Sequence, residues 1–182
     1  MRITGGSYGG RSLLVPKTGD IRPTQDRVRE AVFSMLQTVI PGSGVLDLFA
    51  GTGAFGLEAL SRGAAKVTMV EQNPLHAKII RKNLEAVGAG CTVKVQDAYA
   101  FVRSYAGEAF DVVFADPPYA LGKERGYAEL TESLKARGVL KPGGLLVAEM
   151  TAVQKAEELP GWELLRDRTY GKTRICVFRL TA

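Results

Sequence analysis

Four residues, Asp116-Pro117-Pro118-Tyr119, are the most chemically pointed stretch of this chain. They follow the apolar run 110–115, which reads as a buried parallel strand. Two consecutive prolines cannot donate to a sheet ladder, so the strand must stop there in a stiff corner. The corner presents one carboxylate, freed backbone carbonyls and one aromatic ring at the carboxyl edge of a sheet, where open α/β sheets take ligands. A carboxylate and a carbonyl together accept both hydrogens of an exocyclic amine, while the ring stacks on the flat base that bears it. Methylation of an amino group on a nucleobase is the chemistry that suits Asp116, Pro117, Pro118 and Tyr119, the candidate catalytic residues.

A second set lies upstream. Gly51, Gly53 and Gly56 match the spacing of a dinucleotide fingerprint between a strand and a helix, with Glu71 at the later acidic position. A nicotinamide dinucleotide is therefore one candidate ligand. Asp47, at the tip of the first strand, argues for another, because a carboxylate there would repel a pyrophosphate. S-adenosylmethionine carries an ammonium and a sulfonium and would be attracted. Asp97, after the third strand, can accept from an adenine amine while the Ala98 N–H donates to a ring nitrogen. Phe49, Gln72 and Thr24 complete the candidate cofactor contacts. Each acid alone could be an ordinary strand-end cap. Three at consecutive strand ends, beside a glycine turn, make a ligand site the better reading.

The elements that must position these residues are legible in outline. Helical patterning starts at Pro23 and Thr24, with Thr24 as cap and Val28, Val32, Met35, Leu36 and Val39 as the buried stripe. Strands are expected at 45–49, 66–70, 92–95, 110–115 and 144–150. Helices are expected at 54–61, from Asn73-Pro74 to about 87, at 98–104 and at 127–137. Segments 162–169 and 173–180, joined by Tyr170-Gly171-Lys172, read as an antiparallel hairpin. Repeated βα units ending in a hairpin predict an α/β, Rossmann-like fold, a mostly parallel seven-stranded sheet with helices on both faces. Residues 1–21, with glycines at 5, 6, 9 and 10, read as a small N-terminal β-hairpin arm, leaving 22–182 as the catalytic domain.

Composition bounds the function. The chain has 182 residues, 46% hydrophobic and 24% charged, which suits a globular domain with a sizeable core. Without a membrane-length apolar stretch or an apolar leader, the expectation is a cytoplasmic protein with no membrane partner, monomeric by default. Cys91 and Cys176 read as buried thiols, and no residue set suggests a metal. His76 reads as a surface residue and Trp162 as core. Net charge is +5, and residues 1–40 hold six basic residues against three acidic ones. A second basic run holds Arg166, Arg168, Lys172, Arg174 and Arg179 around Asp167. Beside a base-handling corner, such clusters suit a polyanionic partner. Arg2, Arg11, Arg22, Arg27 and Arg29 are the candidate RNA contacts.

The motifs together resemble a known family. Residues 45–53 resemble motif I of class I methyltransferases, and Asp116 to Tyr119 resemble motif IV of the amino-group subset. Met1 to Gly6, Arg22-Pro23-Thr24, Arg27 to Glu30, Leu57 to Ala64 and Tyr170 to Thr173 resemble the RsmD family of bacterial small-subunit rRNA guanine-N2 methyltransferases. The resemblance implies S-adenosylmethionine as methyl donor and a guanine of 16S rRNA, in the small ribosomal subunit or its assembly intermediate, as acceptor. It implies that Asp116 and the Pro117 carbonyl hold the amine while Tyr119 stacks on the base. The competing readings are a DNA adenine-N6 methyltransferase, a release-factor glutamine methyltransferase (which would prefer Asn at 116), a non-enzymatic RNA-binding assembly factor and, more distantly, a dehydrogenase.

Overall fold

The apolar runs assemble into one seven-stranded sheet in the order β3-β2-β1-β4-β5-β7-β6. The computed structural model describes residues 1–16, 24–117, 126–154 and 158–181. Its elements are α1 (Asp26–Met35), β1 (Gly44–Leu48), α2 (Ala54–Ser61), β2 (Lys66–Val70), α3 (Pro74–Val87), β3 (Thr92–Lys94), α4 (Ala98–Ser104), β4 (Phe110–Ala115), α5 (Gly126–Ala136), β5 (Leu140–Thr151), β6 (Trp162–Tyr170) and β7 (Thr173–Leu180). Strands β3, β2, β1, β4 and β5 pair in parallel, and β7 is antiparallel to both β5 and β6. The expected fold class is the one observed.

Strand alternation divides the core. Val45, Val112, Phe114, Val147, Ile175 and Val177 face α1, α2, α3 and the N-terminal segment. Leu46, Leu48, Val113, Leu146, Cys176 and Phe178 face α4 and α5. Because successive strand residues point to opposite faces, Asp47 and Glu149 fall on the first of these faces, in phase with Phe114 and Ile175.

Several local expectations need correction. Thr24 does not cap α1: the helix begins at Asp26, Gln25 precedes it without a side-chain cap, and the Thr24 hydroxyl donates instead to Glu149 Oε2 at 2.6 Å. At the N-terminus an antiparallel bridge joins Arg2 and Ser12, and the Ile3 N–H donates to the Arg11 carbonyl at 2.9 Å. Ile3 and Leu13 are buried in the core there, and Glu58 accepts from the N–H groups of Thr4 and Gly5. Strand β5 starts at Leu140 rather than 144. Its register with β4 jumps from Phe110↔Leu140 to Val112↔Leu145. Pro142 lacks a donor and Gly143 has a φ of 77°, so the chain leaves the ladder locally before rejoining it. By contrast, α3 begins as expected, with the Asn73 side chain accepting from the Leu75 N–H and Pro74 at the first helical position.

Candidate active site

The turn after β1 is conformationally demanding. Phe49 has a φ of 65°, rare and strained for a bulky side chain, and Gly51 follows at 57°. Glu71 latches this turn from the end of β2: Oε2 accepts from the Gly51 N–H at 2.7 Å, and Oε1 from the Asn73 N–H at 2.8 Å. Asp47 sits below it, almost fully buried, with Oδ2 accepting from the Gly56 N–H at 3.0 Å. Gly53, the residue before α2, offers no capping side chain, so Asp47 satisfies an orphan donor of that helix from beneath. Burial pushes the Asp47 carboxyl up to about 7, opposed by the Gly56 N–H and aided by the Glu71 charge.

Asp47, Phe49, Gly51, Thr24 and Asp116 line one pocket with Met1, Phe55, Phe114, Val147, Glu149 and Ile175. The space between them is about 560 Å³ when the open solvent at the mouth is included. Cross-strand register explains the convergence: Asp47 pairs with Phe114, Phe114 with Val147, and Glu149 with Ile175. All point to the same face. Asp116, just beyond β4, is exposed at the pocket mouth. Desolvation by the surrounding protein, then the charges of Glu149 and Asp47, push its carboxyl well above the usual carboxylate range.

Behind the corner, the buried Tyr127 hydroxyl lies 2.9 Å from the Ala115 carbonyl and 2.6 Å from that of Glu149. One O–H thus braces the ends of β4 and β5. Burial, with Asp116 and Glu149 nearby, raises the phenol pKa and keeps the donor in place.

Other candidates lie elsewhere along the same sheet edge. Glu71, Gln72, Gly53, Asp97 and Ala98 do not line this pocket. Asp97 caps α4 by accepting from the Ala100 N–H at 2.8 Å. A side chain at Gly53 would press on Met69 and Ile80, and one at Gly56 on Met69, so both glycines permit helix–sheet packing. Pro117 is half-buried beside Asp116; Pro118, Tyr119 and Arg22 lie outside the described residues. Arg29 is corrected outright as an RNA contact: it is fully buried, paired with Glu58 at 3.4 Å and Asp26 at 3.0 Å. Arg2, Arg11 and Arg27 are exposed. His76 is not a free surface residue: it is largely buried, 3.8 Å from Glu71. Trp162 packs at the edge of the second core face, and Cys91 is only half-buried. The important omission from the sequence reading was Glu149. Its signal was present, an acid within the apolar run Leu145-Leu146-Val147-Ala148-Glu149-Met150, where a core strand tolerates a carboxylate only with a reason.

A family model described as Conserved hypothetical protein 95 matches residues 1–179. The chain belongs to this family, the RsmD family. It is 37% identical to the Ribosomal RNA small subunit methyltransferase D of Escherichia coli K12, over 100% of this chain and 91% of that protein. The Haemophilus influenzae protein of the same name is 36% identical over 94% of this chain and 89% of its own. The structure superimposes on that of the Escherichia coli protein yhhF with a TM-score of 0.89, at 35% identity, covering 100% of this chain and 98% of the other. The fold of this RsmD-family chain is that of class I methyltransferases. Among the described residues, no helix is long and apolar enough to cross a membrane.

Proposed function

We propose that this protein transfers a methyl group from S-adenosylmethionine to the exocyclic N2 amine of a guanine in 16S rRNA. The observation that carries this reading is the convergence of Asp47, Asp116 and Glu149 on one pocket, beside the glycine turn after β1. The names of the RsmD relatives support an rRNA substrate of the small subunit.

The donor set fits the cofactor. Asp47 has no cation within ion-pair distance among the described residues and would gain one from the ligand's ammonium. Gly51 brings bare backbone to the pocket wall, and Phe49 adds an apolar surface. Glu71 and Asp97, which hold backbone N–H groups here, stand at the ends of β2 and β3, where ribose and adenine contacts are expected. When bound, S-adenosylmethionine supplies an electrophilic methyl on a sulfonium.

The protein's task is to make a conjugated amine nucleophilic. The Asp116 carboxylate and the Pro117 carbonyl accept the two amine hydrogens, which favours a pyramidal nitrogen with its lone pair exposed. Positive charge grows on that nitrogen, and Asp116 stabilises it. An environment that raises the Asp116 pKa makes a more basic carboxylate, suited to taking up the departing proton. Tyr119 stacks on the guanine. Tyr127 keeps the β4 and β5 ends from splaying, which holds Asp116 in register. The protein acts as a cytoplasmic monomer on the small subunit or its assembly intermediate, with residues 1–21 as an arm and 22–182 as the catalytic domain.

The test is labelled methyl transfer to purified small subunits, free 16S rRNA and duplex DNA in parallel, followed by nucleoside analysis. Label on N2-methylguanosine from the ribosomal substrates is expected. Label on adenine, or in DNA, would overturn the assignment.

A further inference from the structure

The basic run at the C-terminal end is sorted by the structure into two groups. Arg174 pairs with Asp167 at 2.5 Å and Arg179 with Glu163 at 2.5 Å. Arg166 and Arg168 are exposed and, among the described residues, form no ion pair. Among the described residues, their guanidinium groups donate to the carbonyls of the residues just before them, Leu165 and Asp167.

A β-bulge decides which face they occupy. In the β6–β7 ladder Leu164 pairs with Phe178, but Arg166 pairs with Val177, so Leu165 is an extra residue. Without the bulge, unbroken pairing of the same sequence would set Arg166 opposite Cys176 and Arg168 opposite Arg174, on the Phe178 face and away from the pocket. With it, Arg166 stands opposite Val177 and Arg168 opposite Ile175, both on the pocket face, while Asp167 turns to the other side to meet Arg174. Ile175 lines the pocket and pairs on its other side with Glu149. Glu149, Ile175 and Arg168 therefore form one cross-strand row, spanning about 10 Å at two strand spacings. Val147, Val177 and Arg166 form the next row. A strand of RNA whose base reaches Asp116 would run its backbone past this edge.

We infer that Arg166 and Arg168, aimed by the bulge at Leu165, are a phosphate-binding track on edge strand β6 for the RNA that delivers its base to the pocket. This rests on the rRNA reading above. The other use of charge on an edge strand is to block edge-to-edge association, which the test also reads.

The experiment compares wild type with Arg166→Gln/Arg168→Gln and, as an equal-charge control on the exposed face of α3, Arg81→Gln/Lys82→Gln. Binding to labelled naked 16S rRNA and to purified small subunits is measured across a salt series. KM and kcat for methyl transfer, S-adenosylmethionine affinity and sedimentation are measured alongside. The β6 pair is expected to flatten the log–log salt slope by roughly 1.4 to 1.8 and to raise KM roughly tenfold. kcat, cofactor affinity and the monomer should stay as in wild type, and the α3 pair should change little. Equal losses in both pairs would mean net charge alone acts, and would overturn the track. So would self-association of the β6 variant with unchanged RNA binding. If the wild type transfers no methyl group to rRNA, the functional reading fails, while the binding slopes still decide the fate of Arg166 and Arg168.

Discussion

Glu58, on α2, and Asp47, which accepts from an N–H in the first turn of α2, are both buried carboxylates, yet their surroundings are opposite. Glu58 accepts from Arg62 at 2.8 Å, Arg29 at 3.4 Å, the Thr4 hydroxyl at 2.7 Å and two backbone N–H groups. This cluster ties the N-terminal segment, α1 and α2 together, and every charge in it is compensated. Asp47 has one backbone N–H and, among the described residues, no cation. Asp116 stands nearby with its pKa pushed the same way. A buried charge already matched is structural. One kept short of a counter-charge is destabilising in the free protein and is justified by a cationic ligand or a proton to be moved.

The comparison can be broken most severely at Glu58. Glu58→Ala leaves the fully buried Arg29 with Asp26 as its one carboxylate partner among the described residues and removes the acceptor of the Thr4 and Gly5 N–H groups, and is expected to cost about 3–5 kcal/mol in urea unfolding. A loss under 1 kcal/mol would show that the cluster is not structural. At the other pole, Asp116→Ala should lower methyl transfer about 10²–10³-fold, with cofactor affinity within a few fold and folding intact. Near-normal turnover would remove Asp116 from the mechanism. Asp47→Asn keeps an acceptor for the Gly56 N–H but removes the charge. It should weaken S-adenosylmethionine binding about tenfold or more by calorimetry, and stabilise the ligand-free protein by about 1–3 kcal/mol above pH 7.

The smallest effect concerns protons. With the Asp47 carboxyl near 7 in the folded chain against an ordinary 3.8, the folded state holds a proton that the unfolded state has released. This contribution makes ligand-free stability fall as pH rises from about 4 to 7. A cationic ligand should drive that proton off. Titrations near pH 6.5 in buffers of different ionisation enthalpy should show release of on the order of half a proton, absent in Asp47→Asn. Equal release in both proteins would place the titrating group elsewhere.

Local signals carried most of the scaffold because each is a short-range steric or hydrogen-bonding rule. Asn73-Pro74 opened α3 and Gly88 closed it as expected. Helices α2 and α4 and strand β2 fell on the expected residues. Thr24 misled because it satisfies the same capping rule, yet a carboxylate 125 residues away takes its hydroxyl. Arg29 misled because charge in a sequence looks exposed until a buried acid such as Glu58 is packed against it.

From its sequence alone this protein was determined to be an alternating βα chain with acids at successive strand ends, a glycine turn and the Asp116 corner. Those features follow from period, proline and glycine, which act over a few residues. Only the tertiary structure decided which acids share a pocket: Asp47, Asp116 and Glu149 meet, while Glu71 and Asp97 hold backbone further along the edge. It also decided that one extra residue in β6 turns two arginines toward that pocket. Facing depends on cross-strand register, which is set by packing between strands far apart in the chain, and no local rule contains it.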